Sequence, residues 1–176
     1  TEFDSYEDFY KNYNLKYNDD FNFGFDVVDE YARICPEKQA LVWCDDEGRE
    51  RKFNYGELSK YTNKTANYFK SLGIKKGDMV MLILKRHYEF WFSIIALHKL
   101  GAVTIPATHL LTKKDVVYRC NSAKIKMIVC ADDDVVTKHI EDSLSESPTV
   151  KAIGVDRGEK EGWHSFEKGV EAASDV

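Results

Sequence analysis

From Gly77 onward, short runs of branched and other apolar residues alternate with longer amphipathic stretches, and this alternation constrains the chain more than any other feature. It predicts strand Met79 to Leu84, helix Glu89 to Leu100, strand Val103 to Ile105 and helix Lys113 to Asn121. Strand Lys126 to Cys130, helix Val135 to Leu144, strand Lys151 to Val155 and a short helix near His164 to Ala172 complete the series. Strands separated by a helix each time cannot pair as hairpins. They require a parallel sheet with right-handed crossovers and helices on both faces. The run Phe90 to Leu97 is apolar on nearly every side, so its helix is expected between layers.

Ahead of this region, residues 1–31 hold ten of the 23 aromatic residues of the chain. Phe3, Tyr6, Phe9, Tyr10, Tyr13 and Tyr17 recur at mostly three- and four-residue gaps, which predicts an amphipathic arm packing its stripe on the body, with Ser5 and Asp8 as a capping pair. A helix is expected over Phe25 to Cys35, stopped by Pro36. Strands Ala40 to Trp43 and Arg51 to Phe53 flank the polar turn Asp45-Asp46-Glu47-Gly48, a hairpin pattern. Asn54 with Glu57 then forms a capping box for a helix running through Tyr61 and Phe69 to Gly73. The expected fold is α/β: a three-layer, mostly parallel, doubly wound (Rossmann-like) sheet with an N-terminal helical arm (residues 1–22) and a β-hairpin at the front of the main domain (residues 23–176).

With 25 basic against 30 acidic residues, the formal charge is −5, which argues against a surface that tracks nucleic-acid phosphates. From Ala131 to Val176 there are 12 acidic and 5 basic residues, leaving 20 basic and 18 acidic before them, so an anion site is expected in the earlier part. Cys35, Cys44, Cys120 and Cys130 lack the short gaps of a zinc knuckle or redox loop and read as structural. No basic segment precedes an apolar run at the N-terminus, and Phe90 to Leu97 falls far short of the about 20 residues that span a bilayer. A cytoplasmic setting without membrane insertion is the expectation.

The chain carries no G-x-G-x-x-G after a strand, no Walker loop, no H-E-x-x-H and no G-x-S-x-G. His87, His98, His109, His139 and His164 are scattered and read as structural or exposed. Gly154, Gly158 and Gly162 are evenly spaced, but no lysine followed by Ser or Thr closes the series, and Glu159, Lys160 and Glu161 read as a solvated loop. Asp132-Asp133-Asp134 fits an acidic helix N-terminus, or else a magnesium or phosphotransfer cluster at a strand end. On the second view the chain is a free-standing binding module of flavodoxin-like or receiver-like type.

Three segments, taken in order and spacing, carry a resemblance: Phe53-Asn54-Tyr55-Gly56-Glu57-Leu58, the turn Leu72-Gly73-Ile74-Lys75-Lys76-Gly77-Asp78-Met79-Val80, and Leu100-Gly101-Ala102-Val103-Thr104-Ile105-Pro106. Together they resemble the opening third of an acyl-CoA synthetase of the adenylate-forming (AMP-binding) superfamily. Pro106-Ala107-Thr108 followed by Asp115-Val116-Val117-Tyr118-Arg119 is most similar to the medium-chain enzymes, with acetyl-CoA synthetases as near relatives. Asn54 stands where the family usually has Thr or Ser, and it keeps the capping chemistry.

The resemblance implies an ATP-dependent ligase that joins a small carboxylic acid to AMP, releases pyrophosphate and passes the acyl group to coenzyme A, with magnesium assisting. The family's phosphate loop, aromatic-Thr-Glu segment, ribose-binding Asp and catalytic lysine find no match in these residues. The chain is therefore expected to be an N-terminal portion, inactive and without bound cofactor by itself, whose partner is the remainder of the synthetase chain and whose uncovered faces favour self-association. By position, the resemblance implies coenzyme A contacts at Thr108, His109 and Leu110, and no catalytic or metal-binding residue.

Overall fold

The computed structural model describes residues 2–176. A short helix, α1 (Tyr6–Asn12), opens the chain, followed by a π-helical turn over Phe23–Asp29 that runs directly into α2 (Glu30–Ile34). Strands β1 (Gln39–Cys44) and β2 (Glu50–Asn54) pair antiparallel, and α3 (Tyr55–Ser71) follows. Then come β3 (Met79–Ile83), α4 (Glu89–Leu100), β4 (Val103–Pro106), α5 (Lys113–Ala123) and β5 (Met127–Ala131). The last elements are α6 (Asp134–Ser143), β6 (Ala152–Asp156), β7 (His164–Ser165) and α7 (Phe166–Ala172).

Five strands form one sheet in the order β4-β3-β5-β6-β7, every neighbouring pair parallel. Numbered by first appearance in the sheet, this is 2-1-3-4-5, so the chain reverses direction across the sheet at β3 and β5. Alternation along the strands splits the core in two. Val80, Leu82, Met127 and Val129 pack against Phe69, Ala96, Leu97 and Phe166 from α3, α4 and α7. Met81, Ile83, Ile128 and Cys130 face Val116, Cys120, Val136 and Ile140 from α5 and α6. Helix α4 lies between layers as expected: Ala96 and Leu97 meet the sheet, while Phe92 and Ile95 join Val28, Phe53 and Leu58 beneath the hairpin.

The caps explain why the helices begin where they do. Asn54 Oδ1 accepts from the Glu57 amide at 2.8 Å and Glu57 Oε2 accepts from the Asn54 amide at 3.0 Å, the reciprocal box that starts α3. Thr112 and Asp115 build the same box for α5. At the far end of α4, Gly101 adopts φ 67° and ψ 21°, a left-handed conformation that turns the chain into β4.

Several expectations are corrected. The aromatic arm does not lie on the body: no residue of Tyr6–Asn12 is buried, and Tyr6 and Tyr10 are 71% and 78% exposed. Its rings cover one another instead, Phe9 with Tyr13 at 4.9 Å and Tyr6 with Tyr10 at 6.2 Å between centroids. The i, i+4 spacing that reads as a buried stripe serves equally for pairing within one helix. The second helix starts earlier than expected, because Asn22 caps it through the Gly24 amide at 2.9 Å. His164 begins strand β7, not a helix, since it pairs with Gly154 across the sheet. Gly158 is no free loop residue, because a β-carbon there would collide with the Asp132 carboxyl.

Candidate functional site at the carboxyl edge of the sheet

Parallel strands deliver their following loops to one edge, and here those loops enclose a cleft of about 580 Å³. Lys85, Arg86 and His87 follow β3, Ala107, Thr108 and His109 follow β4, and Arg157 follows β6. The hairpin leans over them with Trp43, Cys44, Asp45, Asp46 and Arg49, and Trp43 Nε1 donates to the Arg86 carbonyl at 2.6 Å. Four cations line this space, where sequence charge alone placed an anion site only in the earlier part of the chain.

Backbone strain is concentrated in the same place. Lys85 (φ 50°) and Arg157 (φ 60°) are two of the three non-glycine residues with left-handed backbone among those described. Each such residue costs about 1–2 kcal/mol relative to the ordinary regions, a burden typical of positions that orient side chains for binding.

Behind the cleft is a buried polar group. His87 Nδ1 lies 2.8 Å from Asp156 Oδ2, and Arg157 Nη2 donates to Glu89 Oε2 at 2.8 Å. Asp156 is fully buried and Glu89 nearly so. Burial pushes the Asp156 carboxyl above the usual carboxylate range against the pull of His87, and burial together with the nearby Asp156 charge pushes Glu89 up. The Arg157 guanidinium also sits 4.6 Å from the Tyr88 ring centroid and 5.1 Å from that of Trp43.

The fold brings two of the three expected coenzyme A positions into the cleft. Thr108 and His109 line it, and Thr108 Oγ1 accepts from the Leu110 amide at 3.2 Å. The Leu110 side chain is 75% exposed and lies outside the lining. The acidic triplet is not a separate centre. Asp133 caps α6 through the amides of Val135 and Val136 at 3.0 and 3.1 Å, and Lys85 Nζ reaches its Oδ2 at 2.6 Å. Lys85 and those amides hold the Asp133 carboxyl below its usual range.

Sequence reasoning missed His87, Glu89, Asp156 and Arg157. Their signal was positional: each follows a strand end or opens the next helix, the edge at which doubly wound sheets place their chemistry.

Comparison with known proteins places this architecture. The sequence model described as "AMP-binding enzyme" matches residues 28–175. The acyl-coenzyme A synthetase ACSM5, mitochondrial, of Rattus norvegicus is 32% identical over 161 residues, 88% of this chain and 28% of that protein. The acyl-coenzyme A synthetase ACSM3, mitochondrial, of Homo sapiens is 31% identical over 180 residues, 98% of this chain and 30% of that protein. The chain thus spans about three tenths of the length of such relatives. The crystal structure of the anthranilate CoA ligase AuaEII with anthranoyl-AMP superposes with a TM-score of 0.75 and 21% identity, over 89% of this chain and 28% of that one, a likeness of fold. With a family match that runs from the π-helical turn before α2 almost to the last residue and a parallel sheet of the same fold as a CoA ligase, the chain belongs to the AMP-binding enzyme family.

Proposed function

We propose that this chain supplies part of the large domain of an ATP-dependent acyl-CoA synthetase and that its cleft receives the nucleotide end of coenzyme A. The family match over residues 28–175 carries the reading. The reaction proposed for the whole enzyme forms an acyl-adenylate and pyrophosphate from a carboxylate and ATP, and then transfers the acyl group to the coenzyme A thiol. Medium-chain carboxylates are the proposed substrates, on the resemblance around Pro106 and Asp115.

The residues present do not fit ATP with magnesium, because in-line attack at an α-phosphate needs a dense set of backbone amides and a positioned cation. These residues contain no Ser/Thr/Gly-rich loop ending in Pro-Lys. They do fit an anionic nucleotide tail. Arg86 and Arg49 offer charge-assisted donors for phosphate oxygens, while Thr108 and His109 offer further polar contacts in the same lining. Their role in this reading is to bind and orient; no proton or group transfer is assigned to them.

The test is the full-length protein with ATP, magnesium and carboxylates of increasing chain length. Carboxylate-dependent pyrophosphate release is expected, with Arg86→Ala and His109→Ala raising KM for coenzyme A about ten-fold, as loss of one hydrogen-bonded contact would, while adenylation is unchanged. No carboxylate-dependent pyrophosphate would overturn the enzyme reading, and an unaltered KM in both variants would remove coenzyme A from this cleft.

The strand order 2-1-3-4-5 is also that of flavodoxin-like modules, which favours a second reading as a free-standing binding domain. Against it, the Lys85–Asp133 pair occupies the switch point between β3 and β5 where such a module holds its ligand.

A further inference from the structure

We propose that His87, Glu89 and Asp156 form a binding site for one divalent first-row transition cation, with His87 Nδ1 and one carboxylate oxygen from each acid as ligands. Three separate elements converge to make it: the loop after β3, the first turn of α4 and the last residue of β6. The three donor atoms lie within 4.8 Å of one another. Two ligands bound about 2.0–2.2 Å from one ion stand about 3.3–3.6 Å apart in a tetrahedral site, so the widest pair must close by up to about 1.5 Å when an ion enters.

A second observation points to a ligand independently of this spacing. Asp156 is 0% exposed, and its Oδ1 has no hydrogen-bond partner. A buried carboxylate oxygen left without a donor is among the costliest unmet polar groups in a fold, and a bound cation would meet it. Arg157 is not available for the purpose: its hydrogen bonds go to Glu89, with Nη2 at 2.8 Å and Nε at 3.4 Å.

The surroundings suit an ion. Arg157 holds and orients Glu89 from outside the set, as outer partners do in metal sites. The His87 side chain is 20% exposed and lines the cleft, which gives an entry path. One imidazole nitrogen with two carboxylates selects manganese-to-zinc type ions over magnesium or calcium, which prefer all-oxygen sets.

The experiment is a Co²⁺ titration of the full-length, chelator-stripped, nucleotide-free protein, followed by visible absorption and by calorimetry. One equivalent is expected to bind, to resist a hundred-fold excess of Mg²⁺, and to bind at least ten-fold more weakly in both His87→Gln and Asp156→Asn. Asp156→Asn preserves shape, and His87→Gln changes a residue at the cleft wall, so circular dichroism can verify that each is folded. Co²⁺ binding that is absent, that Mg²⁺ displaces readily, or that is the same in parent and both folded variants would overturn the proposal.

Discussion

Lys85 Nζ lies 2.6 Å from Asp133 Oδ2, joining the loop after β3 to the N-cap of α6 at the point where the sheet reverses its order. Through this contact an acidic triplet that resembles a metal or phosphotransfer cluster becomes a capped helix start with a lysine across it. Asp133→Ala removes both the cap and the ion-pair partner and is expected to cost about 1–2 kcal/mol, whereas Asp133→Asn keeps the cap and should cost well under half of that. Urea midpoints with unchanged slopes make the comparison. Equal losses in the two variants would show that the charge, not the cap, is what matters.

Gly101 turns α4 into β4 at φ 67°, and a β-carbon there would also approach Lys76 Cγ at 3.0 Å. Gly101→Val should lose more than about 2 kcal/mol, because a β-branched residue is strained in this region. Gly101→Asn should lose at most about 1 kcal/mol, since asparagine tolerates the left-handed conformation. Thermal and denaturant unfolding of the pair test this. A valine variant as stable as the parent would mean the junction is built differently.

Asp78 accepts from Lys126 Nζ at 2.7 Å and from the Lys75 amide at 2.9 Å. Burial alone would raise its pKa, but Lys126 and the Lys75 amide outweigh it and hold the carboxyl below its usual range. A lowered folded-state pKa contributes stability that is present above the unfolded value, near 3.9 for aspartate, and lost as the pH falls through the folded one. Asp78→Asn should therefore lower stability at pH 7 and flatten the acid limb below about pH 4. Unfolding midpoints measured from pH 7 to pH 2 should converge at the acid end; a constant gap would refute the linkage.

None of Tyr6–Asn12 is buried, so the arm contributes little to holding the domain. Deleting residues 1–17 should leave the denaturant midpoint unchanged within about 0.5 kcal/mol, as for surface changes generally, and should reduce binding of a hydrophobic dye to the exposed rings. A large loss of stability would show that the aromatic stripe does pack on the body in solution.

Cys130 and Cys120 are fully buried, and burial pushes the Cys130 thiol up to about 12. Cys44 is exposed. A disulfide reagent at pH 8 should modify Cys44 quickly and the two buried thiols only as fast as the chain opens. Fast modification of the thiol in a Cys44→Ser, Cys35→Ser variant would contradict the packing of β5 and α5.

Much that depends on neighbours a few residues apart was legible in the amino-acid order, although the Asn22 cap on the Gly24 amide was not. The Asn54–Glu57 box, the hairpin around Asp45 to Gly48 and the strand–helix alternation are local, set by caps, turn residues and side-chain period. The resemblance to AMP-binding enzymes rests on three such segments, and it survives because each is a requirement of the backbone itself. The buried group behind the cleft was not legible. His87 meets Asp156 across 69 positions and Arg157 meets Glu89 across 68, so no local spacing announces them. Only the placement of β3 two strands from β6, with β5 between them, brings those side chains together. The arm shows the converse: its period was read correctly, but whether its rings cover the body or one another is a competition between tertiary and local contacts that periodicity does not encode.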